Sequence, residues 1–414
     1  VFLETVAGDA SSWAPTIAAS DFGGAMSADL ADVDGDGDLD GLAVAQFDGT
    51  AAWFENTAGD GSAWTRRNVA TLSAPNAIRA ADMDNDGDLD LLTGALRDTT
   101  VAWYENLNGS GLAWQATALA TSTVPASLET VDMDRDGDRD VLVNFAGEKI
   151  VGWYDNDASA GAWTLRAVKL DVENPSASVA TDLDGDGDPD VLTALITGEI
   201  NWYRNDTLHR DAGFRPATNI ASDLDGAIAV ALADLDGDGD LDAIGAGYDG
   251  NAIRWFQNDN GLWTEHRVDD NLVNASAVVA ADLDRDRDPD LLAAGASANR
   301  VRAYRNTNGA GTNWNTLTLG ATTDHRDVAA GDVDGDGDPD AVVAAALANT
   351  VTWYANNGNA GGWAAATIDN SAAGTRALSL GDLDNDGDLD AVAALGAADS
   401  VVGYRNGLRD AAGW

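Results

Sequence analysis

The chain has 414 residues, 45% of them apolar, a net charge of −47 and no cysteine. This composition supports a substantial core and excludes disulfides and thiolate metal sites. It also makes nucleic acid a poor partner, because phosphate backbones need Lys and Arg to displace their counterions and only Lys149 and Lys169 supply lysine. No apolar run is long enough to span a membrane. The opening VFLETVAGDA lacks the basic start and apolar run of a secretory leader, so a secreted protein would be present here in mature or trimmed form.

Residues 2–13 (FLETVAGDASSW) align with 53–64 (WFENTAGDGSAW), so the chain begins as a third strand and its turn, and a fourth strand is expected near 13–19. The first of eight nine-residue aspartate strings follows. DVDGDGDLD at 32–40 carries Asp32, Asp34, Asp36, Asp38 and Asp40; DMDNDGDLD at 82–90 carries Asp82, Asp84, Asp86, Asp88 and Asp90. DMDRDGDRD at 132–140 carries Asp132, Asp134, Asp136, Asp138 and Asp140; DLDGDGDPD at 182–190 carries Asp182, Asp184, Asp186, Asp188 and Asp190. DLDGDGDLD at 234–242 carries Asp234, Asp236, Asp238, Asp240 and Asp242; DLDRDRDPD at 282–290 carries Asp282, Asp284, Asp286, Asp288 and Asp290. DVDGDGDPD at 332–340 carries Asp332, Asp334, Asp336, Asp338 and Asp340; DLDNDGDLD at 382–390 carries Asp382, Asp384, Asp386, Asp388 and Asp390. The starts lie 50, 50, 50, 52, 48, 50 and 50 residues apart, the mark of an array with one supersecondary unit per period.

Within each period, a short run of small residues precedes the string (ASAVVAA at 275–281) and a continuous apolar run follows it (DAVVAAAL at 340–347). Unbroken apolarity suits strands covered on both faces. An aromatic segment ending in asparagine comes next (AWFEN, AWYEN, GWYDN), then a Gly/Asn/Asp turn and a tryptophan-led segment such as WTRRNVA at 64–70. Four short strands per period, with no helical periodicity, predict an all-β fold. The expected architecture is a single domain over 1–414, an eight-bladed β-propeller of four-stranded antiparallel blades. The strand near 13–19 would complete the last blade, whose first three strands come from 377–405, and so close the ring.

The charge could be a salt-tolerant acidic coat, but 40 of the 70 acidic residues sit in the eight strings. Five carboxylates in nine residues repel one another unless a cation neutralises them. An all-oxygen set suits Ca²⁺, which takes six to eight oxygen ligands, better than Mg²⁺, which keeps its waters. In D-x-D-x-D-G-x-x-D the first three aspartates would each give a side-chain oxygen. The seventh position (Asp38 in the first string) would give its carbonyl, and the ninth (Asp40) would close the site through both oxygens. Gly37 is expected at positive φ, and Leu39 is expected to point inward. Up to eight calcium ions are anticipated. EF-hands are excluded because the twelfth positions are residues such as Ala43, Thr93 and Val143 on strands, and nine-residue β-helix repeats are excluded by the period. In the sixth string Arg287 replaces the turn glycine and Arg285 adds a second positive charge, so that site is expected to be weakened.

On these loops and their placement between first and second strands, the units resemble FG-GAP/VCBS-type calcium-binding repeats, known from integrin α-subunit propellers and secreted bacterial proteins. The resemblance covers essentially the whole chain, although the Phe-Gly…Gly-Ala-Pro string is absent and the W-Y-x-N strand is closer to the bacterial form. It implies calcium on one face of the ring and ligands on the other. Members of the family include adhesins, lectins and parts of polysaccharide lyases, so no single activity is implied.

The 14 tryptophans fall at two repeat positions, which argues for packing between blades. The asparagines from Asn56 to Asn406 read as turn formers. Phe47, Phe145 and Tyr248 read as loop residues just after the second strand, on the face opposite the aspartates, where aromatic rings can stack on sugars or plug the channel. The stretch TLHRDAGFRP at 207–216 reads as a drifting surface loop, or places His209 and Arg210 against an acidic ligand. The three histidines, His209, His266 and His325, lie in different blades and in no catalytic motif. The expectation is therefore a binding module, extracellular or at the cell surface where calcium is plentiful. It would take a glycan or extracellular protein and could belong to a longer multidomain chain. A polysaccharide lyase and a structural spacer are the alternatives.

Overall fold

A computed structural model describes residues 13–121, 124–157, 162–206, 213–297, 300–320, 324–358 and 362–407. Among them are 32 strands in eight four-stranded antiparallel sheets, with no helix and hence none long and apolar enough to cross a membrane. The chain is an eight-bladed β-propeller, as the repeat predicts.

Blade 1 shows the unit. Its innermost strand is Ala25–Ala31, the second Asp40–Ala45, the third Thr50–Asn56 and the outermost Trp64–Thr71. Ala31 pairs with Asp40, Gly41 with Phe54 and Asn56 with Trp64. Every residue of the second strand is buried in all eight blades. Neighbouring blades cover both its faces, which is why its sequence does not alternate. A register shift at the start of each innermost strand, as between Ala25 and Ser27, adds local twist.

The core lies between blades. Trp53, Leu42 and Val44 of blade 1 form one cluster with Ile78, Leu91 and Tyr104 of blade 2. The indole N–H of Trp53 donates to Gly111 O of blade 2 at 3.0 Å, and Trp255 of blade 5 repeats this toward Gly311 of blade 6 at 2.8 Å. The ring closes through a strand at Trp13–Ala19, which pairs antiparallel with Ser400–Asn406 so that Trp13 faces Asn406 and Pro15 faces Tyr404. Phe22, Ala43 and Phe54 then share a cluster with Leu383, Val392 and Val401 of blade 8. Residues 2–12 of the duplicated segment lie outside the described residues.

Antiparallel order sorts the connections. The aspartate strings and the turns after the third strands lie on one face. The hairpins between second and third strands, and the links between blades, lie on the other.

Candidate metal centre and the opposite face

Each aspartate string folds into a loop held by its own carboxylates. In blade 1, Gly37 N–H donates to Asp32 Oδ2 at 3.1 Å and Asp38 N–H to Asp36 Oδ1 at 3.0 Å. Asp40 anchors the loop: its Oδ2 accepts from Val33 N–H at 3.0 Å and its Oδ1 from Asn56 N–H at 2.8 Å. Both of these bonds recur in every other blade, from Asp90 to Asp390. The sixth loop position takes positive φ throughout, +99° at Gly37 and still +80° at Arg287. Arg287 N–H donates to Asp282 Oδ2 at 3.0 Å, so the glycine substitution strains the loop without undoing it.

Carboxylate oxygens of Asp32, Asp34 and Asp36 lie within 4.8 Å of one another, as do those of Asp82, Asp84 and Asp86 and of Asp132, Asp134 and Asp136. In blades 4 and 5 the ninth position joins instead, in the sets Asp182, Asp184, Asp190 and Asp234, Asp236, Asp242. Burial raises the Asp40 carboxyl to about 7 and that of Asp140 to about 8. Burial first and Asp136 second raise Asp134 to about 6. The Oδ1 atoms of Asp32, Asp82, Asp132, Asp282 and Asp332 are buried and accept no hydrogen bond. Clustered, desolvated carboxylates with orphaned oxygens fit a hard divalent cation, which would relieve both the repulsion and the desolvation.

Two features of this face were not foreseen. The asparagine ending each third strand is more than a turn former. Asn106 Nδ2 donates to Leu89 O of its own loop and to Val33 O of the preceding blade's loop, at 3.3 and 3.1 Å. Asn156, Asn356 and Asn406 make the same pair of bonds, and Asn56 makes them across the closure to Leu383 O. Second, the side chain at the fourth loop position reaches the next blade's loop. Asn385 Nδ2 donates to Asp38 Oδ1 at 2.7 Å, Asn85 reaches Asp138, and Arg285 pairs with Asp338 and bonds Gly337 O. Arg285 thus turns away from its own loop and toward that of blade 7.

On the opposite face the three aromatics separate. Phe47 is 78% exposed. Tyr248 is half-buried, its N–H donating to Gly226 O at 2.9 Å. Phe145 needs correction: it is the last residue of the strand Asp140–Phe145, fully buried and edge-on to Tyr154 at 6.2 Å. It occupies the repeat position of Ala45, not that of Phe47, so it fills an interface between blades and is no candidate ligand contact. His209 and Arg210 lie outside the described residues. His266 stacks on Trp255 at 4.4 Å, and His325 is buried at the start of an innermost strand.

Phe47 forms a wall shared by two hollows. One, of about 520 Å³, is also lined by Leu347, Asn349, Arg326 and Arg376; the other, of about 290 Å³, by Leu96 and Arg97. Arg326 pairs with Asp324 at 2.9 Å, whereas Arg97 and Arg376 enter no ion pair among the described residues.

The sequence pattern of the FG-GAP-like repeat matches residues 32–93, 182–245 and 282–343. No curated protein matches the chain in sequence. Among solved structures, an Agrocybe aegerita lectin that recognises non-reducing terminal N-acetylglucosamine is similar at 17% identity and TM-score 0.52, covering 78% of this chain and 88% of the lectin. BBS1N, solved in complex with ARL6DN, is similar at 13% identity and TM-score 0.53, covering 95% of this chain and 97% of its own. A Lactobacillus plantarum protein is similar at 15% identity and TM-score 0.51, covering 76% and 89%. These likenesses concern the fold. Repeat pattern and architecture agree: three stretches of the chain match the FG-GAP-like repeat, and its eight-bladed architecture fits an FG-GAP-type β-propeller.

Proposed function

We propose that this propeller is an extracellular binding module. Calcium in the aspartate loops stiffens one face, and a carbohydrate bearing acidic groups binds on the other. The observation that carries the ligand class is the exposed Phe47 ring between two hollows walled by Arg97, Arg326 and Arg376. An exposed ring offers a face for a sugar, and arginine forks suit carboxylate or sulfate. Three arginines gathered there stand out in a chain of net charge −47. Recognition of a sugar by the similarly folded lectin supports the carbohydrate reading. Millimolar external calcium would keep the loops filled, which supports the location. His266 and His325 are engaged in packing, and neither lines the hollows beside Phe47.

In the loops, Asp32, Asp34, Asp36 and Asp40 and their counterparts would hold the ion, whose charge would replace mutual repulsion with attraction to a common centre. Binding to an array of neutral and acidic glycans, run with calcium and with chelator, tests the proposal. Retention of uronate-containing or sulfated glycans that is lost in Phe47→Ala and Arg376→Ala supports it. A blank array, or retention unaffected by both substitutions, refutes it. New unsaturated ends on an acidic polysaccharide would instead establish a lyase.

A further inference from the structure

The residue just before the stapling asparagine differs in kind around the ring. It is acidic in blades 1 to 3 (Glu55, Glu105, Asp155) and arginine in blades 4, 6 and 8 (Arg204, Arg305, Arg405), while blades 5 and 7 carry Gln257 and Ala355. Where it is glutamine or arginine, its side chain meets the third position of its own aspartate loop. Gln257 Nε2 donates to Asp236 Oδ2 at 2.5 Å. Arg204 places Nη1 2.7 Å from Asp184 Oδ2 and Nη2 3.2 Å from Asp186 Oδ2. Arg305 pairs with Asp284, and Arg405 Nε lies 3.9 Å from Asp384 Oδ2. The side chains of Asp184 and Asp284 are only 4% and 1% exposed, so solvent screens these pairs poorly.

We propose that Arg204, Arg305 and Arg405 are built-in counter-cations of their own loops, so that divalent cations fill blades 1, 2, 3, 5 and 7 before blades 4, 6 and 8. This rests on the reading of the aspartate loops as divalent-cation sites. A guanidinium on the third aspartate cancels part of the charge that attracts a cation and repels the cation itself. It must also be displaced before that oxygen can ligate. In blades 1 to 3 the corresponding residues are carboxylates, which place no cation on Asp34, Asp84 or Asp134; Glu55 and Asp155 pair instead with Arg67 and Arg166 on the outermost strands. Blade 6 is thereby blocked by Arg305 on its third strand, not by Arg285, whose half-exposed guanidinium meets the fifth and seventh positions of blade 7 (Asp336 and Asp338) and leaves the third aspartate there, Asp334, without a guanidinium. Arg405 is shared with Asp60 of blade 1 at 3.5 Å, so blade 8 is the least blocked of the three.

The test is calcium titration of the chelator-stripped chain, followed by calorimetry and native mass spectrometry. The expected result is five tight sites and three others weaker by roughly tenfold or more. Arg204→Gln and Arg305→Gln should each convert one weak site into a tight one, and Gln257→Arg should remove one. Glutamine is already accommodated at this position in blade 5, which guards against misfolding. In chelator, Arg204→Gln should melt below the parent chain because Asp184 and Asp186 lose their partner, and added calcium should restore it. Eight equivalent sites, or an unchanged stoichiometry in both glutamine variants, overturns the ranking while leaving the cation reading intact. A chain that takes up no calcium refutes the cation reading and the ranking with it.

Discussion

Asn106→Ala separates a staple between blades from a turn former. Asn106 is fully buried; its Nδ2 donates to Val33 O and Leu89 O at 3.1 and 3.3 Å, and its Oδ1 accepts from Gly111 N–H at 3.0 Å. Alanine removes all three bonds and leaves two carbonyls and an amide without partners. At about 1 kcal/mol per bond, and more where a partner stays dry, the loss is about 4 kcal/mol. An unfolding entropy of about 2.1 cal/mol/K per residue gives about 0.9 kcal/mol per degree for a chain of 414 residues. Tm should therefore fall by about 5 °C in scanning calorimetry at fixed calcium. The control is Asn108→Ala in the same turn, whose Oδ1 bonds only Ser110 at an exposed site. That change should stay within about 0.5 kcal/mol, less than about a degree. Equal small shifts in both variants would mean that Asn106 merely shapes the turn.

Excess chelator should lower the melting temperature by roughly 10 °C or more, since each loop held at about 100 times its Kd contributes about 2.7 kcal/mol; an unmoved transition would sink the cation reading. Phe145→Ala should cost about 3–5 kcal/mol and leave glycan binding intact once the protein is folded, because it empties an interface between blades. Phe47→Ala should do the reverse, with its melt within about a degree of the parent and ligand retention lost. Arg287→Gly should stabilise by about 1 kcal/mol, since glycine takes the +80° φ without a Cβ penalty; an unchanged or lower melting point would show that the arginine side chain compensates for its backbone.

The architecture was legible because the repeat is long and regular. Aspartate strings fixed the period, unbroken apolar runs marked the doubly covered second strands, and the likeness of 2–13 to 53–64 revealed the closing strand. What escaped were the polar contacts between blades, which join residues some 73 positions apart, as Asn106 and Val33 are. No local pattern announces them. Phe145 was misplaced by two positions, enough to move a ring from a hairpin to a strand end. Arg204, Arg305 and Arg405 could have been found by reading one column of the repeat through all eight units, where charge reverses from Glu55 to Arg405. The direction of Arg285 could not, because nothing in its own loop says which neighbour it faces.

The pairing of Trp13 with Asn406 has a mechanical consequence. The chain enters and leaves the ring at adjacent points on the aspartate face. Anything attached through these two points is tethered there, and the hollows beside Phe47 point away from the tether. Tension between the two points would act on one strand pair from its open end, parting its bonds one after another as a zipper opens. The ring would therefore yield at this seam under modest force, long before the interfaces between the other blades bear any load.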